Sequence, residues 1–290
     1  MQVNHVLVCA DDFGLHPAVD AAVIELAAHR RLSGASCLVE GSSFADGAAT
    51  LAASGLQSGL HLNFTERLGP EGIYMPLGQL IRACWTRRLS PTAVRDQIAR
   101  QLDRYEEVMG REPDYVDGHQ HVHQFPQIRE VLLQELGRRY SSGGARPWLR
   151  CTIAPRQPGV PVGAKLKASV IALLGAHQFQ RDLRRNGFLS NRALRGVYDF
   201  RGGRSAYAGL LQQWLSAARE GDLIMCHPAT QVMPGDVLGA QRLAELSVWK
   251  SDEVGEWLHQ YHVRPAPADY LRRRLNRQEA SFRPGPGTAA

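Results

Sequence analysis

The chain lacks any hydrophobic run long enough to cross a lipid bilayer. Its apolar residues fall in short runs, whereas a membrane-spanning helix needs about 20 consecutive apolar residues. The N-terminus reads MQVNHVLVCADDFG, with no basic region before its short apolar stretch, so it does not resemble a signal peptide. We therefore expect a cytoplasmic protein without membrane insertion.

Cysteines at metal-ligand spacing are also missing. The chain has five cysteines, and none lies close enough in sequence to another to form the paired motif of a thiolate zinc site. An odd count without an export signal favours reduced thiols. We therefore expect neither a zinc–thiolate centre nor a disulfide framework.

Lysine is scarce, because only Lys165, Lys167 and Lys250 are present and arginine supplies most of the formal net charge of +6. A modest positive balance favours an anionic substrate or partner, or reflects an arginine-rich solvated surface. No nucleic-acid recognition motif accompanies the charge. We therefore do not expect a nucleic-acid partner.

Short apolar runs alternate with amphipathic segments along the 290 residues. This alternation predicts an α/β fold with a mainly parallel sheet, either open or closed into a barrel. Strands are predicted at 5–9, 35–39, 59–63, 115–117, 148–153 and 222–226, and helices at 17–30, 44–54, 91–109, 126–140, 205–219 and 252–261. We expect a single domain over residues 1–276, with a flexible loop at 141–147 and a disordered tail at 277–290.

Two adjacent carboxylates, Asp11 and Asp12, come directly after the first predicted strand. In parallel α/β folds, ligands gather at the carboxyl ends of the strands. Neighbouring carboxylates repel each other unless a cation or a shared proton relieves them. The pair therefore indicates a metal or substrate site, although a helix N-cap beside a surface residue would also give this pattern.

Three alternate histidines, His119, His121 and His123, follow the predicted strand that ends at Asp117. In extended backbone they would share one face, and imidazole is a common metal ligand. Asp117 could orient one of these rings by a hydrogen bond to its second nitrogen.

Two further histidines lie at predicted strand ends. His61 is in the run GLHLN and His227 in the run MCHP. Each could be a packed core residue, but His227 could also act as a general acid or base at neutral pH. A carboxylate with two histidines, leaving positions open for water, is the ligand set of a catalytic metal site.

The segments ADDFG, GLHLN, VDGHQHVH followed by Pro126, and CHP resemble the YdjC-like (ChbG/HpnK) carbohydrate deacetylase family. These segments are spread from residue 9 to residue 228. The resemblance implies a distorted (β/α) barrel related to the polysaccharide deacetylases. It also implies one divalent metal ion and removal of an N-acetyl group from an amino sugar or a small acetylated oligosaccharide.

The resemblance also assigns roles to individual residues. It implies that the metal ligands are Asp12, His61 and His119, and that Asp11 is the general base and His227 the general acid. It also implies that Arg150 lies near the catalytic aspartate and, with His121 and His123, binds substrate. Which of His119, His121 and His123 binds the metal and which contacts the sugar is left open by the sequence. The metal is Mg²⁺ or Zn²⁺, and two imidazole ligands favour the softer ion. The chain is longer than compact members of the family, and the added length falls around residues 141–204, whose arginines could contact an anionic group of the substrate.

Two other functions are compatible with these residues. A metal-dependent phosphoesterase on a similar barrel would hold two metal ions close together, usually with a histidine pair on its first strand, where this chain has two aspartates. A non-catalytic sugar-binding protein would keep the fold but not the full set of acid, base and ligands. The sugar, its chain length and a homo-oligomeric assembly are left open.

Overall fold

The computed structural model describes residues 3–69, 71–140, 146–271 and 273. Most of the predicted loop at 141–147 and the whole predicted tail lie outside the described residues. The strands are β1 (Asn4–Phe13), β2 (Gly34–Cys37), β3 (Gln57–Leu62), β4 (Tyr115–Gly118), β5 (Trp148–Leu149), β6 (Leu194–Arg195), β7 (Leu223–Cys226) and β8 (Val263–Pro265). The helices are α1 (Pro17–Ala28), α2 (Phe44–Ala53), α3 (Leu77–Trp85), α4 (Pro91–Met109), α5 (Ile128–Arg139), α6 (Val162–Ile171), α7 (His177–Arg185), α8 (Gly203–Ser216), α9 (Gly239–Trp249) and α10 (Asp252–Gln260).

The strands form one curled parallel sheet in the order β5-β4-β3-β2-β1-β7-β6, and β8 pairs with the start of β1. Its two ends come together through irregular backbone. The Leu149 N–H donates to the Leu189 carbonyl at 2.9 Å, and the Leu194 N–H donates to the Ile153 carbonyl at 2.9 Å. The expected distorted barrel of mainly parallel strands is therefore confirmed.

Local sequence signals explain where the main helices begin and end. Pro17 starts α1, where its missing N–H costs nothing because the first helical N–H groups have no partner within the helix. The Ser90 hydroxyl accepts a hydrogen bond from the Ala93 N–H at the start of α4. Gly110 ends α4 with a φ of 67°, a conformation that glycine adopts without steric penalty.

The end of β1 departs from regular strand geometry. Ala10 is opposite Ala35 and Phe13 is opposite Cys37, so three steps along β1 match two along β2. This β-bulge falls on Asp11 and Asp12, and Asp12 has a φ of 71°. The sequence predicted a turn leaving the strand here; instead the strand continues to Phe13 through a bulge, which re-aims the side chains.

Several elements were not predicted from the sequence. They are four helices, α3, α6, α7 and α9, and two short strands, β6 and β8. The predicted strand at 148–153 pairs only over two residues.

None of the described helices is both long and apolar enough to span a membrane. All five cysteines are buried as free thiols. The cytoplasmic location, the single-domain boundary and the insertion stay predictions.

Gly59 in β3 generates a stability prediction. A Cβ atom at this position would collide with the ring of Tyr115, which is buried and stacks on Trp148 with ring centroids 4.4 Å apart. Gly59→Ala should therefore lower the free energy of unfolding by about 1–3 kcal/mol, as overpacking of a core does, measured by denaturant titration. The matched control is Gly209→Ala in the interior of α8, where the Cβ meets nothing within 4 Å and a gain of about 0.5–1 kcal/mol is expected. Equal effects of the two changes would contradict the packing argument.

Candidate active site

The residues singled out in the sequence meet at the carboxyl edge of the parallel sheet. Asp11 and Asp12 lie near the end of β1, His61 lies in β3 opposite Asp117 of β4, and His227 follows β7. Because parallel strands end at the same edge, their last side chains converge. The site is therefore assembled from four strands that are far apart in sequence.

Asp12, His61 and His119 form a compact group of potential metal ligands. One ligand atom from each lies within 4.8 Å of the others. The Asp12 Oδ1 atom is 3.5 Å from His61 Nε2 and 3.1 Å from His119 Nδ1. One carboxylate oxygen and two imidazole nitrogens around a common point form the donor set of an open catalytic metal site. The structure thus brings together the three residues expected to bind metal.

Asp117 fixes the orientation of His61. Its Oδ1 atom lies 2.6 Å from His61 Nδ1, so the Nδ1–H donates to Asp117 and the Nε2 atom faces Asp12. A carboxylate behind a ligating histidine holds the ring and raises its basicity. Asp117 therefore orients His61, whereas the sequence suggested that it would orient one of His119, His121 and His123.

Arg150 is buried beneath the site and binds two carboxylates. Its guanidinium makes a bidentate pair with Asp11 at 2.7 and 2.6 Å, and its Nη2 atom is 2.5 Å from Asp117 Oδ2. The Ser36 hydroxyl lies within 3.1 Å of Asp11 and 2.7 Å of Asp117. Burial alone would raise the pKa of Asp11, but the charge and hydrogen bonds of Arg150 hold it well below its ordinary value.

The histidine run is not extended. Residues His119–Gln124 form a tight 3₁₀ turn after β4, and Gln120 and His121 have φ values of 52° and 61°. The expectation that the three rings share one face is therefore wrong. Only His119 faces Asp12, while the His123 Nε2–H donates to the carbonyl of Arg150 at 2.8 Å.

The side chains expected to bind substrate differ in their access to solvent. Arg150 and His123 are fully buried, and both hold other parts of the protein in place, so the geometry does not favour direct contact with a sugar. His121 is 8 % exposed and its buried Nδ1 atom has no hydrogen-bond partner among the described residues. Of these three residues, His121 therefore fits substrate contact best.

His227 lies close to Asp11. Its Nε2 atom is 3.8 Å from Asp11 Oδ2, and its ring packs edge-on against Phe200 with centroids 5.0 Å apart. Burial lowers the pKa of His227 to about 4, against the opposing charge of Asp11. The imidazole is therefore neutral at pH 7 and able to accept a proton.

Sequence reasoning missed two buried charged residues of α9. Arg242 donates to Asp12 Oδ2 at 2.7 Å and to Asp236 at 2.9 Å, and Glu245 accepts from the backbone N–H of His227 at 2.6 Å. Neither has a sequence signal, because charged residues in a helix usually face solvent. Arg242 leaves the Oδ1 atom of Asp12 facing the two histidines.

The charges at the site favour a cation. Three buried carboxylates, Asp11, Asp12 and Asp117, face two guanidinium groups, those of Arg150 and Arg242. Burial opposes protonation of His119, yet Asp12 and Glu66 raise its pKa to about 9. A position that binds a proton this strongly suits a divalent ion, which would replace that proton on binding.

Most of the chain matches one family model. Residues 5–260 match the model of the YdjC-like proteins. The chain belongs to this family. The resemblance seen in the sequence motifs is thereby confirmed over most of the chain's length.

Two curated relatives that are similar in sequence to this YdjC-like chain are named as deacetylases. A mouse carbohydrate deacetylase is 30 % identical, with 97 % of this chain and 96 % of the relative covered. A chitooligosaccharide deacetylase of Salmonella newport (strain SL254) is 27 % identical, with 89 % and 96 % covered.

Solved structures share the fold. A provisionally named cellobiose-phosphate cleavage protein of Enterococcus faecalis V583 superposes with a TM-score of 0.67 at 20 % identity, with 93 % of this chain and 99 % of that chain covered. The Bc1960 peptidoglycan N-acetylglucosamine deacetylase gives a TM-score of 0.50 at 11 % identity, with 92 % and 87 % covered. At these identities the likeness concerns the fold alone.

Glu245 generates a prediction about pH and stability. Burial raises its pKa to about 7 from the ordinary glutamate value of 4.5. The carboxyl therefore favours the folded state fully at pH values below 4.5, and this contribution is lost as pH rises through 7. Relative to Glu245→Gln, the wild-type protein should lose up to about 3 kcal/mol of unfolding free energy between pH 4.5 and pH 7.5, measured by guanidinium titration across that range. Parallel stability curves for the two proteins would contradict the raised pKa.

Proposed function

We propose that this YdjC-like protein is a metal-dependent carbohydrate N-deacetylase that removes the acetyl group from an amino sugar or small acetylated oligosaccharide. The observation that carries the proposal is the juxtaposition of two groups of residues. The metal-ligand group of Asp12, His61 and His119 lies beside an Asp11–His227 pair whose nearest atoms are 3.8 Å apart. The names of the curated relatives support this reaction class.

The ligand group suits one divalent ion. When bound there by Asp12, His61 and His119, the ion would supply Lewis acidity, polarising the acetamide carbonyl and making water more acidic. A second potential ligand group, Asp11, His61 and Asp117, is already occupied by the guanidinium of Arg150. The residues therefore fit a single metal ion, either Mg²⁺ or Zn²⁺, which argues against the two-metal phosphoesterase.

Asp11 and His227, which lie beside the ligand group, each carry out one part of the proton transfer. Asp11, held by Arg150 in its ionised form, accepts a proton from the attacking water. Its Oδ2 atom is 3.8 Å from the neutral His227 Nε2, and when this distance shortens to that of a hydrogen bond the proton passes to the imidazole. His227 then donates it to the departing amine, since an amide nitrogen leaves poorly without a proton. The products are acetate and the free amino sugar.

The backbone contact of Glu245 positions the proton donor. Glu245 holds the His227 N–H, and Phe200 packs on the ring, so the imidazole keeps its edge toward Asp11. The Nδ1 atom of His227 is buried and has no partner among the described residues. His227 is thereby fixed by its main chain and its ring face while both ring nitrogens stay free of protein hydrogen bonds.

Acetate release from N-acetylated chito-oligosaccharides of two to six units tests the reaction. The wild-type protein reconstituted with Zn²⁺ or Mg²⁺ should release acetate, and Asp11→Asn should reduce the turnover by about 10²-fold or more, because general base catalysis is worth that much. Metal content of the variant should stay at one ion per chain, since Asp11 is not in the ligand group. Near-normal turnover of Asp11→Asn would remove Asp11 from the chemistry. A wild-type protein that holds metal and releases no acetate would overturn this substrate class.

His61→Ala tests the metal ligands. Loss of one of three protein ligands should reduce the bound metal to well below one equivalent after dialysis, measured by elemental analysis. The matched control is His227→Ala, which removes a nearby imidazole outside the ligand group and should keep the metal while turnover falls. An unchanged metal content in His61→Ala would show that His61 is not a ligand. Two metal ions per wild-type chain would instead favour phosphoester cleavage.

A further inference from the structure

Helix α6 exposes a stripe of large aliphatic side chains. Val162, Leu166 and Val170 are 75 %, 63 % and 47 % exposed, and Leu173 in the next turn is 76 % exposed. At 100° per residue, the three positions in α6 span an arc of about 80°, and the buried Ala168 lies on the opposite side of the helix. We call these four residues the α6 stripe. Contiguous exposed apolar surface of this kind marks an interaction site.

Basic side chains accompany the α6 stripe. Residues 162–185 contain five cations and one acid, Asp182, which is bound by Arg129 at 3.2 Å. None of the five cations makes an ion pair within the part of the chain that the structure describes. They are Lys165 and Lys167 on α6, one on each side of the stripe, and Arg181, Arg184 and Arg185 on α7.

The charges and the aliphatic side chains of this surface indicate which class of partner it binds. Aliphatic residues along one side of a helix, with cations beside them, are the features of a helix that lies in the plane of an anionic membrane surface. A second copy of the chain, packed by two-fold symmetry, would bring the same cations of both copies together. A nucleic acid would satisfy the cations but leave the aliphatic stripe exposed.

We propose that α6 docks the chain onto an anionic lipid bilayer. Val162, Leu166, Val170 and Leu173 enter the boundary between headgroups and acyl chains, and Lys165 of α6 and the arginines of α7 face the lipid phosphates. The Lys167 ammonium stays on the carbonyl of Tyr198. The docking is peripheral, in agreement with the absence of a membrane-spanning helix among the described ones. It stands independently of the reaction proposed above.

Vesicle sedimentation with the full chain tests the proposal. The probes are vesicles of phosphatidylcholine alone and of phosphatidylcholine with phosphatidylglycerol at a ratio of three to one. We expect apparent binding to the anionic vesicles to be about tenfold tighter or more, because each cation near such a surface adds attraction. Addition of 0.5 M NaCl should remove most of this difference, since the attraction is screened.

A matched pair of double variants distinguishes vesicle binding by the α6 stripe from vesicle binding by exposed aliphatic side chains in general. Leu166→Asn with Leu173→Asn should weaken binding to the anionic vesicles about tenfold or more, since two aliphatic side chains no longer leave water. Val232→Asn with Val237→Asn changes two residues that are 55 % and 95 % exposed elsewhere on the surface and should bind as the wild type does. All four positions are exposed and outside the candidate active site, so thermal unfolding should be unchanged in both variants.

Three results would overturn the proposal. The first is no association of the wild-type chain with either kind of vesicle. The second is equal binding by the wild type and the Leu166→Asn, Leu173→Asn variant. The third is a wild-type dimer in sedimentation equilibrium that this variant converts to monomer, which would assign the stripe to an interface between copies of the chain.

Discussion

The candidate site depends on the buried guanidinium of Arg150. It binds Asp11 of β1 and Asp117 of β4 from its place directly after β5, so three strands are tied together beneath the site. Through Asp117 its influence reaches His61, the proposed ligand that lies in β3. A buried charge whose partner is removed costs about 3–5 kcal/mol, and here one cation serves two anions. The proposed base, Asp11, and a proposed metal ligand, His61, therefore depend on the same buried guanidinium.

The bulge in β1 explains how adjacent aspartates serve different partners at one site. In a regular strand, successive side chains point to opposite faces of the sheet. The extra residue at Asp11 and Asp12 lets one carboxylate reach Arg150 and the other reach His119 and Arg242. The left-handed φ of Asp12 costs about 1–3 kcal/mol, which the contacts of Asp12 with Arg242 and the histidines offset. The strained backbone of Asp12 and the position of its carboxylate thus result from the same bulge.

Sequence reasoning predicted the fold class and the residues that meet, because each motif follows a short apolar run and parallel strands end at one edge. It failed where geometry depends on distant partners. Positive φ at Gln120 and His121 cannot be read from residue types that usually avoid it, so the alternation of histidines was misread as a shared face. Arg242 reaches Asp12 across 230 residues of sequence, and nothing in its own helix marks it. The same is true of Glu245.

The segment between β5 and α8 joins the site to the proposed docking surface. Lys167 of α6 lies over the ring of Phe200 at 5.0 Å and donates to the carbonyl of Tyr198, and Phe200 packs on His227. Phe200 itself has a φ of 59°, which is a strained backbone conformation for a bulky residue. The contacts with Lys167 and His227 on either side hold its ring in place. A displacement of α6 would therefore reach His227 through two side-chain contacts. The residue that we propose as proton donor is thus two side-chain contacts away from the helix that we propose meets the membrane.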